Sequence, residues 1–230
     1  MKRKTILYSF KTSLPVMAGY IVLGMGFGIL LQGKGFGWPW ALGMSMTIYA
    51  GSMQYVAVDL LAGGASFFTI VIMTLMVNIR HLFYGVSMLS KYKDAGKYKP
   101  YLIFALTDET FSIACEAQPV DGVDMNLFYF CLSAFDQLYW IIGCVTGNLL
   151  GNIIPFSTDG IDFSMTALFL VILINQWESA DDHKPVLTGL LVTLACLLIF
   201  GSENFLIPSM IFITLALLGE KKLIKEGGEK

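Results

Sequence analysis

The chain has 230 residues, of which 56% are hydrophobic and only 14% charged, with a formal net charge of -2. A mean hydropathy of +0.68 is too apolar for an ordinary soluble domain, where roughly a quarter of residues are charged. The near-balanced charge suggests neither nucleic acid nor an electrostatic surface partner. The expectation is an all-α polytopic transmembrane helical bundle forming a single domain over 1–230.

Met1-Lys2-Arg3-Lys4 and Lys11 form a basic flank, placing the first segment's start in the cytoplasm by the positive-inside rule. The apolar run that follows, about Leu14 to Gln32, has no A-x-A-like cleavage site and reads as a first span rather than a cleaved signal. Gly24 and Gly28 in it make a small-xxx-small pair for close helix approach. Trp38-Pro39-Trp40 suits a membrane interface.

The second run, about Trp40 to Leu61, is interrupted at Tyr49-Ala50-Gly51-Ser52-Met53-Gln54-Tyr55. It reads either as a helix opened at Gly51 beside a wet cavity or as a kinked helix with a self-bonded serine. The third run, about Ala65 to Leu89, carries Val77-Asn78-Ile79-Arg80-His81-Leu82-Phe83-Tyr84-Gly85. Arg80 then lies near mid-depth of a roughly 30 Å hydrocarbon core. An ion there costs roughly 3 kcal/mol on the lenient insertion scale, so it needs a partner.

The loop Ser90 to Pro100 is lysine-rich and should also be cytoplasmic. Three full crossings would put it on the wrong side, so either one of the first three segments does not cross fully or the charge rule fails here. A fourth run, about Tyr101 to Ala117, contains Thr107-Asp108-Glu109-Thr110. The fifth, about Leu127 to Leu150, carries Asp136-Gln137 and the ladder Gly143, Gly147, Gly151.

A sixth run covers Phe163 to Gln176, and two short runs cover Val186 to Phe200 and Phe205 to Leu218, before a basic tail. The total is about seven to eight membrane segments, with broken or re-entrant helices and an internal repeat as options. Gly24 with Gly28 and the fifth-run ladder are read as marks of corresponding helices in two halves.

On a helix, Asn78, His81 and Gly85 share one face, whereas Arg80 stacks over Tyr84. Either Asn78 and His81 line a substrate path while Arg80 makes a structural ion pair, or the roles are reversed. Candidate partners for Arg80 are Asp108, Glu109 and Asp136, and a carboxyl left over can carry a proton. Gln54 adds a neutral hydrogen-bonding group, as do Tyr55, Asn175 and Gln176. The substrate and ion pathway is therefore assigned to Gln54, Asn78, Arg80, His81, Tyr84, Asp108, Glu109 and Asp136. Packing or hinge roles go to Gly24, Gly28, Gly51, Gly143, Gly147 and Gly151. The alternative is that the polar groups only hold helices together.

The four cysteines, Cys115, Cys131, Cys144 and Cys196, lack CxxC spacing and read as small core residues. His183, among acidic residues, reads as a solvated surface histidine. With no clustered ligands, no metal or cofactor is expected. No GxxxxGK[ST], HExxH or GxSxG motif supports enzyme chemistry.

Ala50-Gly51-Ser52-Met53-Gln54-Tyr55 and Val77 to Tyr84 resemble the two hallmark stretches of the AzlC family, A-G-x-x-Q-F and N-x-R-H-x-L-Y. Tyr55 and Phe83 are mild departures. The resemblance implies the large subunit of a bacterial branched-chain amino-acid exporter in the inner (cytoplasmic) membrane, working with a small AzlD-type membrane subunit. It implies a permease for leucine, isoleucine, valine or analogues, driven by the proton gradient. A non-transporting scaffold or binding subunit, or an exporter of another small polar solute, remains the competing expectation.

Overall fold

The computed structural model describes residues 2–153 and 182–205 continuously, with 170, 173–174, 177–178, 208–209, 211–213, 215–217 and 219 as short pieces. The chain divides into two compact units, Met1–Phe169 and Leu170–Lys230. Among the described residues there are helices and loops and no strand.

In the first unit the elements are α1 (Lys2–Gly33), α2 (Trp38–Thr47), α3 (Gly51–Ala62), α4 (Phe67–Met88), a 3-10 turn (Gly96–Tyr98), α5 (Lys99–Phe104), α6 (Asp108–Glu116) and α7 (Met125–Ile153). α1, α4 and α7 are each long and apolar enough to cross a membrane. α1 begins at the basic flank rather than near Leu14, because nothing between Lys2 and Leu14 breaks a helix. Pro15 is accommodated inside it.

α1 and α7 form the spine and lie parallel, matched residue for residue along their length. Ser9 Oγ donates to Phe128 O at 3.3 Å, and Gln32 Nε2 donates to Asn152 Oδ1 at 3.0 Å. Between these points a Cβ on Gly24 would meet Cys144 N at 3.0 Å and Gly143 Cα at 3.1 Å. A Cβ on Gly28 would fall onto Cys144 O and Asn148 N, and one on Gly147 onto the Met25 backbone. The two glycine series are thus two sides of one contact between helices that run the same way. Small residues let the backbones touch.

The spine fixes two ends. At the basic end Lys4 Nζ donates to Asp121 O at 2.6 Å, Asp124 N donates to Thr5 Oγ1, and Asn126 Nδ2 donates to Asp94 O. The first basic flank and the lysine-rich loop therefore share one end. At the far end Asn148 Nδ2 donates to Phe36 O, and Lys34 pairs with Asp59 at 3.4 Å.

The path between these marks resolves the count of crossings. α2 starts beside Asn148 at the far end and descends until Met46 O accepts from Gln137 Nε2 at mid-helix. α3 starts against Trp140, which lies 3.2 Å from a Cβ built on Gly51, and climbs back to Asp59 beside Lys34. With 10 and 12 residues, neither helix spans about 30 Å. Together they form a re-entrant hairpin from the far end, and α4 then crosses to the basic end.

A second hairpin enters from the basic end. α5 rises to the level where Tyr101 OH donates to Gln137 Oε1 at 2.7 Å, and α6 starts where Thr110 Oγ1 donates to Asp136 Oδ2 at 2.7 Å. α6 then returns to Lys91, whose Nζ donates to the carbonyls of Ala114, Cys115 and Ala117. This divides the expected fourth run at 105–107. The break is built in: Thr107 leaves the helical region and caps α6 by accepting from Thr110 N. Hairpin plus α4 and hairpin plus α7 make two halves of opposite direction, the pattern of inverted-topology transporters.

The second unit, taken by itself, contains α8 (Lys184–Asn204), interrupted at Gly201 with φ 73°. Its first 18 residues are also long and apolar enough to cross a membrane. His183 is half-buried and stacked on Trp177, with ring centroids 4.0 Å apart, rather than freely solvated. The sixth run lies largely outside the described residues, as does most of the last short run. Asn175, Gln176 and the basic tail lie outside them altogether.

Candidate functional site

The two hairpin tips meet at mid-depth, where Tyr49 packs on Phe104 with centroids 6.3 Å apart. Tyr49 carries φ 42° between α2 and α3, a conformation uncommon for a non-glycine residue. Its ring is held there by burial, with 3% exposed.

Around the tips, α1, α3, α4, α6 and α7 deliver polar groups. From α4, Arg80 Nη1 pairs with Asp108 Oδ2 at 3.1 Å, and its Nη2 donates to Ser52 Oγ. Arg80 therefore bridges the first turns of α3 and α6, one from each hairpin. From α7, Asp136 is fully buried and accepts from Thr110, while Trp140 Nε1 donates to Gln54 Oε1 at 2.8 Å. From α1, Tyr20 OH donates to Glu109 Oε2 at 2.7 Å and lies 2.5 Å from Thr107 Oγ1, which donates to Thr110 Oγ1. A continuous polar chain thus runs from Glu109 through Tyr20, Thr107 and Thr110 to Asp136.

The charges are divided unequally. Asp108 answers Arg80, but among the described residues no basic side chain pairs with Glu109 or Asp136. Buried atoms without a partner collect at the same place: Gln54 Nε2, Arg80 Nε and Asp136 Oδ1. Such atoms are uncommon in folded proteins and each costs about 1–3 kcal/mol when nothing meets it.

Of the residues expected from sequence, the structure brings Gln54, Arg80, Asp108, Glu109 and Asp136 to the tips. Tyr84 joins them at the edge, stacked on Phe111 at 4.5 Å and within reach of Asp108. Asn78 and His81 make no side-chain hydrogen bond to the tips among the described residues: His81 Nδ1 faces the Asn78 carbonyl at 3.2 Å, and its ring meets Tyr84 edge-on with centroids 5.8 Å apart. Gly51 lets Trp140 approach the start of α3, whereas Gly151 abuts Gln32 far from the site.

Tyr20, Tyr49, Ser52, Thr107, Thr110 and Trp140 were not singled out as pathway residues in the sequence. Two carried a signal, the Thr107-x-x-Thr110 cap and the i, i+4 spacing of Asp136 and Trp140. Among the described residues no three His, Cys, Asp or Glu side chains gather as a metal site. Cys131, Cys144 and Cys196 are buried as small core residues, and Cys115 is half-buried.

The comparisons with known proteins agree with this architecture's membrane character. The chain is 42% identical over 233 residues to the branched-chain amino acid transport protein AzlC of Bacillus subtilis, covering 100% of this chain and 90% of that one. It is 41% identical over 210 residues to an uncharacterized membrane protein of Haemophilus influenzae, covering 91% and 86%. It is 28% identical over 181 residues to the inner membrane protein YgaZ of Escherichia coli, covering 76% and 74%. No solved structure matches the chain. The sequence model of the family described as AzlC protein matches residues 15–154, which run from Pro15 within α1 to the end of α7 with the two hairpins and the whole site, and the chain belongs to that family.

Proposed function

We propose that this chain is a permease subunit exporting leucine, isoleucine, valine or analogues across the bacterial inner membrane as a proton-coupled secondary transporter. In this reading it works with a small AzlD-type membrane subunit. The observation that carries the reading is the meeting of two hairpin tips, from opposite ends, beside the oppositely charged Arg80 and Asp136. Tips that meet at mid-depth leave only one hairpin between the site and each end, which suits access from alternate sides.

The substrate class comes from the name of the Bacillus subtilis relative. A zwitterion fits a site with one cation and two carboxyls beyond its partner. The basic end is assigned to the cytoplasm by the positive-inside rule. Glu109 and Asp136, joined by hydroxyls and lacking cations, are the groups that take up and release the coupling proton.

The test is efflux of preloaded radiolabelled leucine from vesicles holding this chain with and without an AzlD-type subunit. Efflux that stops when the proton gradient is collapsed supports the reading. No efflux of any branched-chain amino acid from a correctly inserted pair would overturn it.

A further inference from the structure

The two hairpins offer two helix starts to the site, and they are not alike. α6 is capped by Thr107 and carries Asp108 and Glu109 in its first turn, so its amides and dipole are already answered. α3, with 12 residues, has Ala50 as its N-cap, no side-chain cap and no acid in its first turn. Among the described residues no acceptor meets the amides of Gly51, Ser52 or Met53, the first bond being Gln54 N to Ala50 O at 2.8 Å. A bare helix start is a place for an anionic group.

A second observation points the same way. Gln54 is fully buried, its Oε1 is taken by Trp140, and its Nε2 donor has no partner. Helical side chains lean toward the N-terminus. The same indole that holds the Gln54 amide packs on Gly51, keeping that amide along the first turn of α3. The Arg80 guanidinium reaches this turn too, through Ser52, with its Nε unpaired.

We infer that the first turn of α3 binds the carboxylate of the amino acid, with the Gly51, Ser52 and Met53 amides and the Gln54 Nε2 as donors. The ammonium then faces the opposite tip on the side of Glu109, which pairs with no basic side chain among the described residues. The inference rests on the transport reading above and adds the orientation of the substrate. Gln54 is in it a substrate-binding residue, selecting against amines that lack a carboxylate.

The experiment uses the full chain in liposomes, with Trp38, Trp40 and Trp177 replaced by Phe so that Trp140 is the only one left of four tryptophans. Its emission is followed on titration with leucine, 4-methylpentanoate and 3-methylbutylamine. Leucine and 4-methylpentanoate should shift it saturably, and the amine should not. Gln54→Glu keeps the acceptor for Trp140 but sets a charge against the carboxylate, and Gln54→Leu removes the donor. Each should weaken binding of both carboxylates at least about tenfold, the worth of a hydrogen bond to a charged group.

The inference is overturned if the amine shifts the emission as strongly as leucine, if neither carboxylate gives a saturable shift, or if both variants bind carboxylates like the parent. Leucine efflux from the same liposomes separates the two claims. Efflux without carboxylate preference removes this inference alone. Carboxylate preference without leucine efflux, once an AzlD-type subunit is inserted in the same liposomes, removes the transport reading and leaves the site.

Discussion

Adding one methyl group to the spine should have effects that differ sharply along the same helix. A Cβ on Gly19 meets nothing within 4 Å, one on Gly24 meets backbone at 3.0–3.1 Å, and one on Gly28 overlaps Cys144 O and Asn148 N. Gly19→Ala removes the entropic penalty of glycine in a helix and should stabilise by up to about 1 kcal/mol. Gly24→Ala needs a shift of a few tenths of an ångström and should cost about 1 kcal/mol. Gly28→Ala and Gly147→Ala meet backbone atoms that cannot rotate away, so the spine must part, at about 2–3 kcal/mol or more. At about 2–4 °C per kcal/mol for a chain of this size, Gly28→Ala should lower the unfolding temperature by roughly 4–12 °C. The assay is thermal unfolding of the purified chain in one detergent, all variants side by side. Equal shifts for Gly19→Ala and Gly28→Ala would refute the parallel α1–α7 contact.

The remaining expectations concern the tips and the path of the chain. Arg80→Ala should destabilise more than the double change Arg80→Ala with Asp108→Ala, because it leaves a carboxylate without its cation. With both side chains about a quarter exposed, the coupling in a thermal double-mutant cycle should be about 1–3 kcal/mol. Lys91→Met removes three donors from the last turn of α6 and should cost about 1–2 kcal/mol by the same thermal assay, with faster amide exchange at 112–117. Single cysteines at Lys4 and Lys93, in a background without the native four, should react with an impermeant maleimide from one side, and a cysteine at Lys34 from the other. Labelling of Lys4 and Lys93 from opposite sides would break the first re-entrant hairpin.

What was legible in the sequence follows the cost of burying charge. Arg80 inside an apolar run announces itself, and the demand for a carboxylate led to Asp108 among three candidates. The two lysine-rich stretches could not both face one side after three full crossings, so the chain's charges already offered an incomplete crossing as one of two readings. The second hairpin was hidden because Tyr101 to Ala117 is apolar enough to pass as one run, and a threonine cap weighs little against that. Asn78 and His81 lie in the same motif as Arg80, but neither hydrogen-bonds to the tips, and His81 meets the site only through the ring of Tyr84. Tyr20 and Trp140 look like the other aromatics of a lipid-embedded chain. Only contact between elements far apart in sequence distinguishes them.

The central claim is that the tips form a transport site in which Asp136 serves the proton and not the amino acid. Asp136→Asn keeps the size of the side chain and an acceptor for Thr110. In liposomes, two rates are then measured for parent and variant: exchange of internal for external leucine with no gradient, and net leucine efflux driven by a proton gradient. The account predicts that exchange persists in Asp136→Asn while gradient-driven efflux falls to the rate without a gradient. Gradient-driven efflux as fast as the parent's would contradict it.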